Sequence, residues 1–147
     1  VHTERLRGFK AAFTREGLEY REELCITNPD LQVEALGKMI PKYGVTAVAC
    51  LNDRLAVQVS DYLQAQGYRV PEDISVTGFD DNELSRYTSL TTVRQNFRRI
   101  GEVGAERLLE RINHGTGYSQ TMLPVELIIR SSTGPVPDHG GSCNAIK

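Results

Sequence analysis

The 147-residue chain has no tryptophan and contains only 2 methionines, 3 cysteines and 3 histidines. The cysteines are Cys25, Cys50 and Cys143. Their odd number and wide spacing exclude a disulfide framework and a C-x-x-C metal or redox pair. The histidines, at positions 2, 114 and 139, are too scattered to form a zinc cluster or to supply a catalytic base. We therefore predict that the chain holds no metal and no cofactor and is not an enzyme.

Neither sign of charge is in excess, since 17 Lys and Arg face 19 Asp and Glu for a net charge of −2. This balance argues against a nucleic-acid surface, which needs clustered basic residues. No apolar stretch approaches the roughly 20 residues that span a bilayer. Cys25 and Cys50 stand in apolar runs, where a reduced thiol packs as a small hydrophobe. Reduced thiols favour a reducing compartment, and we expect a cytoplasmic protein. The absence of an initiator methionine or signal-peptide core at Val1 suggests that the chain is a piece of a longer protein.

Hydrophobic residues make up 39% of the chain, enough for the packed core of one domain. Apolar residues recur every three or four positions near residues 6–13, 31–40 and 55–63, which predicts three helices. The runs 45–51 and 74–79 are apolar without alternation, as in strands buried on both faces, and 24–27 is a shorter strand candidate. Alternating helices and strands with short links predict an α/β fold with an open, mainly parallel sheet and flanking helices.

The sequence changes character at Leu90. Residues 90–95 are extended and more polar, whereas 97–113 form a strong amphipathic pattern with Ile100, Val103, Leu108 and Ile112 on one face. A last short strand is predicted near Leu127. Beyond residue 131 the chain is rich in Pro, Gly and Ser, so we expect the tail to be disordered.

Polar pairs follow two of the predicted inner strands, namely Asn52-Asp53 and Asp80-Asp81. In open parallel sheets, ligands bind at the carboxyl ends of the strands. Carboxylate acceptors and an amide suit a polyol such as a sugar, and Arg5 could add a forked donor. Such residues are also common turn formers and helix caps. Asp80-Asp81 could alternatively be a catalytic or metal-binding carboxylate pair, although no third carboxylate, phosphate loop or partnering Lys sits at a third strand end.

Five segments together resemble the LacI-type (lactose-repressor/galactose-repressor) family of bacterial transcription regulators. They are residues 5–9 (Arg-Leu-Arg-Gly-Phe), 52–56, 67–81 (ending Gly-Phe-Asp-Asp), 90–95 (Leu-Thr-Thr-Val-Arg-Gln) and 123–133. The resemblance spans about residues 3–133 in the family's order. It implies a two-lobed effector-binding core, preceded in the family by a helix-turn-helix head and a hinge helix, both absent from this chain.

The resemblance also implies a division of the chain. Residues 1–89 would form the second lobe, 90–96 the crossover between lobes, and 97–122 a helix and loop of the otherwise missing first lobe. Residues 123–133 would be a return strand and 134–147 a disordered tail. The helix at 97–113 would then lack its natural partner, and we expect its apolar face to associate with another surface.

By resemblance, the effector contacts are Arg5, Asn52, Asp80, Gln95 and Phe97. The helix from Asp53 and the segment 84–89 would form a homodimer surface that includes Val57 and Tyr87. The implied effector is a small metabolite, most commonly a sugar, although family members also use purines and nucleosides. Operator DNA would be reached only through the absent head, and no membrane is involved. The alternative is a periplasmic sugar-binding protein of a transport system, which would share the residues that follow the strands.

Overall fold

The computed structural model describes residues 2–27, 32–115 and 120–137, and within these ranges it has five α-helices and four strands. The elements are α1 (His2–Arg15), a 3-10 turn (Glu22–Leu24), α2 (Gln32–Tyr43), β1 (Ala47–Ala49), α3 (Asp53–Ala65), β2 (Ser75–Thr77), α4 (Glu83–Tyr87), β3 (Thr92–Gln95), α5 (Phe97–His114) and β4 (Val125–Ile128). No helix within these ranges is long and apolar enough to cross a membrane.

The strands form one parallel and one antiparallel pair. β1 and β2 run parallel with Val48 opposite Val76, and β3 and β4 run antiparallel with Val93 opposite Leu127. Isolated parallel bridges from Thr77 to Thr91 and from Asp80 to Arg94 connect β2 and the residues after it to the β3 side. The predicted α/β fold with flanking helices is therefore confirmed, and its antiparallel member is β4.

The core lies around α3 and the first two strands. Its buried apolar side chains are Leu36, Ile40, Ala56, Val59, Leu63, Ile74, Val76 and Leu90. The α3 residues among them recur at helical spacing, so one face of α3 is buried and the other faces solvent. α3 is followed by Gly67, whose φ of 87° lies in the left-handed region that glycine adopts without steric cost.

The predicted strand at 24–27 is wrong. Glu22–Leu24 form a 3-10 turn, and the residues from Cys25 to Thr27 join no ladder. Within the described ranges β1 pairs only with β2, and the run from Cys25 to Thr27 does not come into register with the free edge of β1. The sequence also places Asp30 where it could cap α2, but Asp30 lies outside the described residues.

The second half of the chain packs differently. α5 confirms the predicted amphipathic helix, yet Val103 is its single buried residue. Its exposed apolar side chains are Phe97, Ile100, Leu108, Leu109 and Ile112, and those of β4 and the residue after it are Val125, Leu127 and Ile129. Of the expected tail, residues 134–137 are described, and the Gly134 amide donates to Ser75 Oγ at 3.1 Å. Residues 138–147, with His139 and Cys143, lie outside the described residues.

Candidate functional site

Three elements bring their polar side chains together at the carboxyl ends of β1 and β2. Arg5 of α1 donates through Nη2 to Asp80 Oδ1 at 3.2 Å and through Nη1 to the carbonyl oxygen of Leu51 at 2.5 Å. Gln95 of β3 donates through Nε2 to the same Asp80 Oδ1 at 2.8 Å. We refer to Arg5, Asp80 and Gln95 as the Asp80 cluster.

The cluster leaves one acceptor open. Both donors contact Oδ1 of Asp80, and Oδ2 accepts no hydrogen bond from any described residue. The Asp80 side chain is 26% exposed, so the carboxylate is partly accessible to solvent. The Arg5 guanidinium also lies 3.9 Å from the centroid of the Phe79 ring, a cation–π contact that fixes its position. The arrangement presents one preoriented carboxylate oxygen to a hydrogen-bond donor.

The backbone at this turn adopts a rare conformation. Asp80 has φ of 114° and Asp81 has φ of 52°, both in the left-handed region that non-glycine residues seldom occupy. The Asp80 amide nevertheless donates to the carbonyl oxygen of Val93 at 2.9 Å, which holds the turn against β3. Such conformations cost about 1–3 kcal/mol each and persist where surrounding contacts enforce them. The contacts of Asp80 and Asp81 meet that condition.

Asp81 is the buried member of the pair. It accepts from Arg130 Nη2 at 2.6 Å and from Arg94 Nε at 2.7 Å, and Ser85 Oγ donates to it at 3.2 Å. Burial by itself opposes ionisation, but the hydrogen bonds from Arg130 and Arg94 outweigh it and lower the pKa of Asp81 to about 2. A carboxylate that stays ionised at neutral pH cannot act as a general acid, which disfavours the catalytic-pair alternative for Asp80-Asp81.

Sequence reasoning did not single out Arg130 as a partner of this site. Arg130 follows β4, and besides Asp81 it donates to the carbonyl oxygen of Leu90 at 2.7 Å. Arg94 also contacts Glu126 of β4 at 3.2 Å. Chain segments on both sides of α5 therefore converge on Asp81, next to the open acceptor of Asp80. The signal that could have identified Arg130 is its position in the segment 123–133 that carried the resemblance.

Asn52 and Asp53 both serve the local structure. Asn52 caps α3, because its side chain accepts from the Leu55 amide at 2.8 Å. Asp53 is fully buried and accepts from Thr92 Oγ1 at 2.5 Å and from the Asn82 amide at 2.9 Å. A Cβ at Gly78 would lie 2.4 Å from Asp53 Oδ1, so only glycine fits there without a shift. Asn52 adjoins the cluster through Leu51, whose carbonyl oxygen accepts from Arg5.

The other predicted site residues, Phe97, Tyr87 and Val57, take no part in the hydrogen bonds of the Asp80 cluster. Phe97 begins α5 and is 58% exposed. Tyr87 of α4 is 79% exposed, and its hydroxyl contacts Glu83 at 3.2 Å. Val57 lies half-buried on α3. The cap of α4 is Asn82, since its side chain accepts from the Ser85 amide at 3.2 Å; the expectation that a member of the Asp80-Asp81 pair caps the following helix is therefore wrong.

Neither thiol nor metal chemistry is built into this edge of the sheet. Cys50 follows β1, and burial raises the pKa of its thiol to about 12, so it stays protonated and unreactive at neutral pH. Within the ranges that the structure covers, no three His, Cys, Asp or Glu side chains are grouped to hold a metal ion.

Comparisons with known proteins agree with one another. The periplasmic binding protein-like domain family matches residues 1–133. The HTH-type transcriptional repressor PurR of Aliivibrio fischeri (strain MJ11) is 41% identical over 139 residues, which are 88% of this chain and 41% of that protein. PurR of Vibrio cholerae serotype O1 (strain M66-2) is 42% identical over 115 residues, covering 74% of this chain and 34% of the relative.

Solved structures with the same fold include two transcription regulators with bound ligands. The transcriptional regulator CelR in complex with cellobiose has a TM-score of 0.75 and 31% identity, covering 88% of this chain and 42% of that chain. The lac repressor dimer bound to operator and the anti-inducer ONPF has a TM-score of 0.71 and 30% identity. The match covers 88% of this chain and 46% of that chain. This chain spans about a third to two fifths of the length of the curated relatives described above.

Proposed function

Because the chain belongs to the periplasmic binding protein-like domain family and forms part of the effector-binding core of a LacI-type regulator, we propose that it senses a small metabolite, a sugar, for a DNA-binding transcriptional repressor. The relatives that support this proposal are named as transcriptional repressors and regulators, which favours a regulator over a transport protein. No catalytic role is part of the proposal.

The observation that carries the proposal is the open acceptor of Asp80. Oδ1 is occupied by Arg5 and Gln95, so the carboxylate is oriented before any ligand arrives and little ordering entropy remains to be lost. A hydroxyl group of a sugar can donate to Oδ2, and a hydrogen bond to a charged acceptor contributes about 1.5–3 kcal/mol. The cellobiose bound in the CelR structure is a ligand of this chemistry. Asn52 and Phe97 are proposed as further contacts at the edges of the site.

The effector would act through the segment that crosses between lobes. Gln95 belongs both to the Asp80 cluster and to the proposed crossover, residues 90–96. A ligand that donates to Asp80 changes the hydrogen bonding around Gln95, and so favours one arrangement of this segment over another. Only such differential affinity can shift the equilibrium between two lobe orientations. These orientations would set the spacing of two DNA-binding heads, which are outside this chain.

The proposed division of the chain explains its exposed surface. Residues 1–89 would form one lobe, with 123–133 returning to it. Residues 97–122 would pack against the lobe present in longer relatives, because the apolar side chains of α5 other than Val103 are largely exposed. The working protein would be a cytoplasmic homodimer that reaches operator DNA through its heads.

Thermal unfolding of the full-length protein with a panel of sugars tests the proposal. We expect one sugar to raise the melting temperature, and we expect Asp80→Asn to weaken that sugar's binding about tenfold or more, because a neutral amide is a poorer acceptor. The matched control is Glu19→Gln, which neutralises an exposed carboxylate after α1, away from the Asp80 cluster. By calorimetry the 147-residue chain alone should bind the same sugar weakly, since half of the cleft is absent. No stabilisation by any sugar, or tight binding by the chain alone, would contradict the proposal.

A further inference from the structure

The segment that contains α5 is attached at both ends to one buried carboxylate. Arg94 of β3, which precedes α5, donates through Nε to Asp81 Oδ2 at 2.7 Å. Arg130, which follows β4 and so lies after α5, donates through Nη2 to Asp81 Oδ1 at 2.6 Å. Because the two arginines use different oxygens, both contacts form at once. Asp81 therefore links the strand that leads into α5 with the strand that leads back from it.

The turn that carries Asp81 is held at both ends by the buried Asp53. The Asp53 amide donates to the carbonyl oxygen of Phe79 at 2.9 Å, and the Asn82 amide donates to Asp53 Oδ2 at 2.9 Å. Between these anchors lie Asp80 and Asp81 alone, both with positive φ. Each has only two soft backbone dihedral angles, since the peptide bond between them is planar. A shift of the backbone at Asp80 is therefore shared with Asp81.

The same two aspartates hold β3 on both of its faces. Gln95 donates to Asp80, and Arg94 donates to Asp81. Consecutive side chains of a strand point to opposite faces, so the turn contacts β3 from both sides. A change at Asp80 therefore reaches β3 through Gln95 and, by way of the turn, through Arg94 as well.

Arg130 depends on Asp81 directly rather than through the ladder between β3 and β4. That ladder ends at Ile128, two residues before Arg130. Nη1 of Arg130 donates to the carbonyl oxygen of Leu90, and Nη2 donates to Asp81. The side chain of Asp81 is fully buried and that of Arg130 is 18% exposed, so water screens this ion pair little. A shift of the Asp81 carboxylate is therefore followed by the guanidinium of Arg130.

We propose that Asp81 is a positioning residue that couples the effector site to the return strand, residues 123–133. A change in the hydrogen bonding of Asp80 shifts the turn, and Asp81 passes the shift to Arg130. This inference rests on the proposed function and adds the regulation of its site. The route through Gln95 reaches the segment before α5, whereas the route through Asp81 reaches the segment after it. Both connections of α5 then respond to one ligand.

Unfolding of the 147-residue chain in urea tests the coupling without a ligand. Asp80→Asn alters the effector site, and Arg130→Lys keeps the charge but loses the forked donors of the guanidinium. Asp80 and Arg130 share no hydrogen bond within the described ranges, so uncoupled residues would give additive effects. We expect the folding equilibrium constant of the double variant to depart from additivity by about threefold or more. In an Asp81→Asn background the same pair should be additive within about twofold.

The matched control replaces a remote carboxylate. Glu19→Gln combined with Arg130→Lys should be additive within about twofold, because Glu19 is exposed and lies after α1. A purely structural Asp81 would stabilise the fold in every background without making the effect of Asp80→Asn depend on Arg130. Additivity of Asp80→Asn with Arg130→Lys in the unchanged chain overturns the inference. Equal non-additivity with and without the Asp81 carboxylate overturns it as well.

NMR of the Arg130 side chain decides the question if the triple variant does not fold. Asp80→Asn alone should move the Nε–H signal of Arg130, whereas Glu19→Gln should leave that signal in place. Circular dichroism verifies that both single variants are folded. An Arg130 signal that Asp80→Asn does not move overturns the inference.

These outcomes are distinct from those that bear on the proposed function. No sugar enters either measurement, so a negative result overturns the coupling through Asp81 while the effector site stands. If no sugar binds the full-length protein, the proposed function is overturned, and the dependence between Asp80 and Arg130 is still measured by the same variants.

Discussion

The two halves of the molecule contrast in what their apolar residues contact. In α3 the buried positions Ala56, Val59 and Leu63 pack against β2 and α2, and Leu63 is fully buried. In α5 the amphipathic pattern is as regular, yet Leu109 is 58% exposed and only Val103 is buried. Periodicity thus shows which face of a helix is apolar, whereas the element that covers that face must come from elsewhere in the structure.

Replacing a leucine by alanine in each of the two helices should give the largest difference in the free energy of unfolding. Leu63→Ala should lower the free energy of unfolding by about 2–5 kcal/mol, because it leaves a cavity in the packed core. Leu109→Ala on α5 should change it by about 0.5 kcal/mol or less, because its side chain is already in contact with water. Urea unfolding followed by circular dichroism measures both. Equal losses would show that α5 is buried in the folded protein and that the contrast is wrong.

Asp81 follows β2 in the first half of the molecule and pairs with Arg94 and Arg130 of the second half. Removal of its charge should therefore have the next largest effect on the free energy of unfolding. Asp81→Asn leaves Arg94 and Arg130 without their buried carboxylate and should cost about 2–3 kcal/mol, below the usual loss for a fully buried pair because Arg94 is partly exposed. Glu126→Gln removes only the exposed contact of Arg94 and serves as the matched control, with a loss of about 1 kcal/mol or less. Unfolding in urea at pH 7 compares them. A control that costs as much as Asp81→Asn would contradict the central role of Asp81.

Acid should weaken the ion pairs of Asp81 with Arg94 and Arg130, with a smaller effect on the free energy of unfolding. The pKa of Asp81 is lowered to about 2 in the folded protein and is about 4 in the unfolded chain. The contribution of ionised Asp81 to the free energy of unfolding is therefore fully present above pH 4 and is lost as the pH falls through 2. The free energy of unfolding should fall by about 2 kcal/mol as a result. Stability measured from pH 6 to pH 2 should therefore fall less steeply in Asp81→Asn than in the unchanged chain. Parallel curves for the two proteins would show that Asp81 does not carry this dependence.

Most of the fold and part of the site could be predicted from the sequence. The helices α3 and α5 follow from hydrophobic period, and the inner strands β1 and β2 follow from short unbroken apolar runs. Both signals depend on neighbouring residues alone. The position of Asp80 and Asn52 after strands predicted that both lie at one edge of the sheet. The proposed binding roles of Arg5, Asn52, Asp80, Gln95 and Phe97, and the dimer roles of Val57 and Tyr87, stay predictions.

What could not be predicted depends on contacts between distant parts of the chain. The apolar run at 24–27 has the composition of a strand, but it joins no ladder, because pairing depends on how the run is placed against the edge of another strand. The partnership of Arg130 with Asp81 joins residues 49 positions apart. No local pattern encodes which oxygen of Asp80 is occupied, since that depends on where α1 and β3 come to lie.

Three features can be read from the order of residues, because each is a property of near neighbours. They are the apolar faces of the helices, the alternation of strands and helices, and the polar residues after the inner strands. The convergence of Arg5 and Gln95 on one oxygen of Asp80, which leaves the other open, arises only when the chain folds. The same holds for the burial of Asp81 between two arginines while the adjoining aspartate stays partly accessible. Hydrogen bonding and burial depend on distance in space, and folding brings together residues that the chain keeps far apart.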